Sequence, residues 1–68
     1  MRYAVIIENC PTSYGAYVPD LPGCVAVAKT AREVKRLIAE AIVQHREGMR
    51  EDGLAVPEPS SECDYVEV

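Results

Sequence analysis

Residues Thr30 to Glu33 read T-A-R-E, and no other tetrad in the chain constrains its fold as tightly. The threonine hydroxyl can accept the backbone amide three residues on, and Glu33 can reach back to the Thr30 amide, so the tetrad is a capping box that opens a helix. Val34, Leu37, Ile38, Ala41, Ile42, His45 and Met49 then recur at intervals of three and four, whereas Arg32, Arg36, Glu40, Glu47 and Arg50 fall mostly elsewhere. The spacing predicts a helix from Ala31 to about Asp52, roughly 30 Å long at 1.5 Å per residue. Gly53 is placed to cap its end. One apolar stripe of that length demands one long surface to lie on.

The residues before the helix supply it. Tyr3 to Glu8 (YAVIIE) is apolar and β-branched, Asn9 to Ser13 (NCPTS) is turn chemistry, and Tyr14 to Val18 (YGAYV) can pair back. Gly15, inside the second strand, signals a bulge or a close approach of another backbone. In Pro19 to Gly23 (PDLPG), Pro22 and Gly23 suit the second and third positions of a type II turn. Val25 to Lys29 is then a third strand. Beyond the helix, Leu54 to Cys63 carries two prolines and two serines and reads as a loop, and Tyr65 to Val68 (YVEV) alternates like an edge strand. The expectation is a single α+β domain over residues 1–68, β-β-β-α-β, with one helix on one face of a four-stranded sheet.

Such a sheet has a second face. Tyr3, Val5 and Ile7 alternate with Ala4 and Ile6, so the first strand is apolar on both sides, and a chain of 68 residues hides only about 60% of the surface its unfolded form exposes. Cys10, Cys24 and Cys63 form neither an even set nor a close pair, so neither a disulfide framework nor a zinc ribbon stabilises it. Self-association into a homodimer or higher oligomer is expected, through the face opposite the helix, with Tyr3, Val5 and Ile7 on it, or through a sheet edge.

Charge is divided along the chain. Met1 to Arg50 holds seven basic and five acidic residues, whereas Glu51 to Val68 holds six acidic residues and no basic one. Binding to nucleic acid draws on Lys and Arg, so independent DNA or RNA binding is not expected. The acidic end suits either a basic partner protein or simple solvation. No apolar run approaches the roughly 20 residues of a membrane span, and no leader pattern opens the chain, so a cytoplasmic protein with reduced thiols is expected.

Catalytic constellations were sought in turn. His45, the single histidine, lies in the helical apolar series and reads as a packed residue. Three scattered thiols and one imidazole do not make a closed zinc site. Gly15 and Gly23 are isolated, and no phosphate-binding loop exists. Glu8, Asp20, Glu33, Glu40 and Asp64 read as solvated charges rather than a two-metal site. The cluster Lys29, Arg32, Lys35 and Arg36 has no aromatic partners for stacking on bases and reads as a solvated helix face. Neither an enzyme nor a cofactor is expected. Binding chemistry points instead to Tyr17 and the rigid turn Pro19, Asp20, Leu21, Pro22 and Gly23, in which Asp20 and Leu21 would project towards a partner. The alternative is that the turn is purely structural.

Tyr14 to Ile42, YGAYVPDLPGCVAVAKTAREVKRLIAEAI, resembles the HicB-like antitoxin family, above all in YVPDLPGC followed by a threonine-capped helix, with Gly53 and Val56 to Pro59 (VPEP) continuing the pattern. The resemblance implies a partial ribonuclease-H-like fold with sheet order 3-2-1-4, the last strand lying parallel to the first through a right-handed crossover. It also implies a partner, a small basic toxin (HicA-like) that cleaves messenger RNA and whose catalytic surface is covered; the alternative is an orphan stand-alone domain of the same fold that binds another protein or a small ligand. The family does not carry the ribonuclease-H-like carboxylate set. Many relatives add a DNA-binding domain, absent from these residues, so autonomous operator binding is not expected.

Overall fold

A computed structural model describes residues 1–68. Three strands, β1 (Ile6–Asn9), β2 (Tyr14–Tyr17) and β3 (Val25–Ala28), precede one helix, α1 (Ala31–Glu51). The strands form one antiparallel sheet in the order β1-β2-β3. Ile7 lies opposite Ala16, and Ala16 opposite Ala26, so these three share the face that α1 covers. Ile6, Glu8, Gly15, Tyr17, Val25 and Val27 share the other face. Nothing in the chain covers it: Val25 is 62% and Val27 67% exposed. The smallest molecular dimension, 16 Å, is that of one helix layer on one sheet.

The helix begins as the capping box requires, with the Glu33 amide donating to Thr30 Oγ1 at 3.1 Å. The reciprocal bond from the Thr30 amide to Glu33 is not made. At the other end Gly53, at φ +71°, lets the Leu54 amide donate to Met49 O and the Gly53 amide to Arg50 O. That pair of bonds is a Schellman motif, which needs a residue tolerant of positive φ. Val34 and Ile38 are the helix's buried residues, and Leu37, Ala41 and Ile42 are half-buried beside them.

Seven residues make the core: Ala16, Val18, Leu21, Cys24, Ala28, Val34 and Ile38. Three of them, Val18, Leu21 and Cys24, come from the connection between β2 and β3. There the Leu21 amide donates to Val18 O and the Cys24 amide to Leu21 O, two successive turns that share Leu21. Pro19 and Pro22 take the second position of each, where a fixed φ is wanted, and Gly23, at φ +85°, takes the third position of the second. Leu21, at the joint, is turned inward and has no exposed surface.

Three expectations are corrected. The four-stranded mixed sheet of order 3-2-1-4 is absent, because Tyr65–Val68 forms no strand. Tyr65 is 95% exposed and buries nothing against the sheet, and its amide is taken by Asp64 Oδ1 at 2.7 Å. Gly15 marks no bulge: the register of β2 is continuous on both sides, and a Cβ there would meet open space. Tyr3, Val5 and Ile7 do not lie opposite the helix. They pack half-buried against the core, because Ile7 shares the face of Ala16.

Leu21→Ala should therefore lower stability by about 2–5 kcal/mol, read as a shift in the urea midpoint. Pro22→Ala, at the exposed neighbouring position, should cost about 1 kcal/mol or less. Equal shifts for the two would show that Leu21 is not a core residue.

Candidate functional site

With Leu21 turned inward, its neighbour Asp20 is turned outward, towards the segment that follows the helix. One carboxylate oxygen of Asp20 accepts the Ser60 and Ser61 amides, both at 3.0 Å, and the other accepts the Ser60 and Ser61 hydroxyls at 3.1 and 2.8 Å. Four donors on one carboxylate stabilise its charged form. The backbone amides of Ser61 and Ser60 contribute most, and together with the hydroxyls they hold the Asp20 pKa down at about 2.

A second tie lies earlier in the same segment. Tyr3 Oη donates to Pro57 O at 2.6 Å, and the Arg46 guanidinium sits 5.9 Å from the centre of the Tyr3 ring. The segment from Val56 to Ser61 is thus strapped across the flank of the domain, with Val56, Pro57 and Pro59 half-buried. It leads into Glu62, Asp64 and Glu67, which lie in the acidic part of the chain.

Of the residues expected to meet a partner, Tyr17, Pro19, Pro22 and Gly23 are exposed. Leu21 is buried and Asp20 is engaged within the chain, so these two do not project as expected: the turn's side chains alternate between core, strap and solvent. Sequence reasoning missed Ser60 and Ser61. Their one signal was a serine pair just after Pro57 and Pro59, 40 residues from its acceptor.

The groups weighed for chemistry stay apart. No three histidine, cysteine, aspartate or glutamate side chains converge on a possible metal position. Cys24 is buried and desolvation raises its thiol pKa, whereas Cys10 and Cys63 are exposed. His45 is half-buried on α1. Arg36 pairs with Glu40 at 3.1 Å on the exposed side of the helix. No helix is long and apolar enough to cross a membrane.

Known proteins resemble the chain across nearly all of its length. Residues 3–67 match the family described as HicB-like antitoxin of bacterial toxin-antitoxin system. A protein of Haemophilus phage HP1 (strain HP1c1), described as an uncharacterized 14.9 kDa protein in the rep-hol intergenic region, is 36% identical over 66 residues, which is 97% of this chain and 50% of that protein. The chain thus spans about half the length of that curated relative. Among solved structures, a chain of a HicA3 and HicB3 toxin-antitoxin complex superposes with a TM-score of 0.75 at 25% identity, over 88% of this chain and 70% of that one.

Both ends of the Asp20 clamp lie inside the matched residues, and the clamp has a definite pH dependence. A carboxylate whose pKa falls on folding stabilises the fold above its unfolded value, near 3.8, and loses that contribution as pH drops towards about 2. Amide exchange at Ser60 and Ser61 should accordingly speed up between about pH 4 and 2 relative to intrinsic rates. In Asp20→Asn it should be fast throughout, with no such transition. A transition that survives the substitution would assign the clamp to another group.

Proposed function

The chain belongs to the HicB-like antitoxin family, and from that membership we propose that it is an antitoxin module that binds and neutralises a small basic toxin that cleaves messenger RNA. The superposition on a chain of a toxin-antitoxin complex carries this reading. The acidic segment from Glu51 onward supports it, since a surface without a single cation attracts a basic protein and repels phosphate. The chain acts by binding, with no catalytic step and no cofactor, and contacts no DNA by itself.

A small basic protein, where the adjacent reading frame encodes one, is the partner to test. Co-expression should relieve its toxicity, and the purified pair should co-elute with messenger RNA cleavage suppressed. Unrelieved toxicity together with no complex would overturn the antitoxin role. Cleavage of RNA by this chain alone would overturn the assignment of a binding role.

We also infer that the module self-associates through the open sheet face. Seven buried residues make a small core for 68, and Ile6, Tyr17, Val25 and Val27, with Glu8 as the one charge, leave a mostly apolar surface around a glycine that neither φ nor any intrachain contact requires. A second copy pressed on Gly15 accounts for that residue, since glycine in a strand interior otherwise costs about 0.5–1 kcal/mol. Light scattering at micromolar concentration should give at least twice the 7.5 kDa of one chain. Val25→Asp with Val27→Asp should return it to one chain. A stable 7.5 kDa species of the unaltered protein would falsify the inference.

A further inference from the structure

The open sheet face has a notch at its centre. Gly15 lies in the middle strand, flanked in register by Glu8 on β1 and Val27 on β3, and a Cβ built on it would meet no atom beyond its chain neighbours within 4 Å. The ring of Tyr17, two residues along the same strand and on the same face, therefore does not fold back over the glycine. Tyr17 is the single aromatic residue of this face and is exposed. Its hydroxyl takes part in no hydrogen bond of the chain. The Glu8 carboxylate, on the rim of the notch, has neither a hydrogen bond nor an ion pair. A notch, a knob with a free donor and an unpaired acceptor thus stand on one face, so two copies of that face complement each other.

Size decides how they meet. Each strand is four residues long, so three strands about 4.8 Å apart present a face of roughly 15 by 13 Å. Laid flat on its equal, it would bury far less than the roughly 800 Å² per partner of a stable interface. Contact here has to gain area by interdigitating. A two-fold axis between the sheets, crossing β2 at Ala16, sets Gly15 of each copy opposite Tyr17 of the other, and by the same register sets Val27 opposite Val25. The strands then run antiparallel across the interface, as aligned sheets at about 10 Å separation allow. An axis parallel to the strands would set notch against notch and ring against ring, leaving a void that close packing disfavours.

We propose that two copies of the chain pair through this face by mutual insertion: the Tyr17 ring of each fills the Gly15 notch of the other, and its hydroxyl donates to the Glu8 carboxylate on the rim. The one charge of the face gains a donor as it loses water, where a purely apolar contact would leave it unpaired. The proposal rests on the self-association inferred above and names the residues that set its geometry.

Sedimentation equilibrium over a wide concentration range tests it on the full chain. Gly15→Val should weaken association about tenfold or more by overfilling the notch, with the circular dichroism spectrum unchanged because the lone chain has room for the added side chain. Tyr17→Ala should weaken it to a similar extent, and Tyr17→Phe about fivefold. The decisive measurement mixes Gly15→Val with Tyr17→Ala, one of them isotope-labelled, in native mass spectrometry. In the mixed pair the tyrosine of one chain meets the open glycine of the other, and the larger side chain at position 15 meets the smaller one at position 17. Mixed pairs at twice the 7.5 kDa of one chain should therefore exceed both like pairs. Should Gly15→Val fail to fold, Gly15→Ala takes its place in the same mixture. A statistical share of mixed pairs, or unweakened association of the glycine variant, would overturn the insertion. If Val25→Asp with Val27→Asp dissociates the protein and the glycine variant does not, the face stays an interface and this pairing is wrong. An unaltered protein that remains at 7.5 kDa throughout would overturn the self-association and the proposal together.

Discussion

The burial of Leu21 is the contact on which the rest of the molecule depends. A leucine at the joint of two turns would ordinarily face water, but here both turns are set by prolines at their second positions, and the shared residue is driven inward against the core that includes Val34 and Ile38. Its burial fixes where β2 ends and β3 begins, and it anchors the connection that leads to the helix cap. It also decides the fate of its neighbours. Pro19, Pro22 and Gly23 are left in solvent, and Asp20 is presented to the segment beyond the helix. One motif, PDLPG, thereby serves the core, the strap and the surface.

A layer of one helix on three short strands leaves more unsatisfied surface than a larger domain would. The helix runs over β3 and β2, and β1 is reached instead by Tyr3, which ties its own side of the domain to Pro57. Three apolar or unpaired features remain: the face of Tyr17, Val25 and Val27, and the outward backbones of β1 and β3. Edge strands and exposed apolar faces are usually blunted by charge, bulges or cover. Glu8 of β1 is the one charge that the strands place on the open face, and the absence of a bulge at Gly15 keeps that face flat. A chain built this way is organised for contact.

The sequence made the helix and the three strands legible because each had a local signature: a cap, a 3.6-residue period, β-branched runs and proline-glycine turns. The helix end fell within a residue of Asp52, since Gly53 carries its own conformational requirement. What failed needed long-range information. YVEV alternates, but four residues are too few to distinguish a strand from a coincidence, and its alternate residues are acidic or exposed. The faces of β1 could not be assigned because both are apolar, and only pairing with Ala16 decides that Ile7 faces the helix. Leu21 was misplaced because composition marks a turn without saying which of its residues points inward. Ser60 and Ser61 were invisible because their partner lies 40 residues away.

Charge completes the discrimination that backbone geometry leaves open. Both sheet edges offer outward amides and carbonyls at alternate residues, so hydrogen bonding alone would let either one accept a strand. Electrostatics separates them: the β3 edge continues into Lys29 and the basic turns of α1, whereas the groove at β1 is walled by Glu62 and Asp64. Such a difference in charge acts mainly on the association rate and on the choice of a partner rather than on affinity. The clamp between Asp20 and the serine pair matters because it fixes the start of the acidic segment against the domain, so that Glu62 and Asp64 follow from a held position rather than from a loose tail.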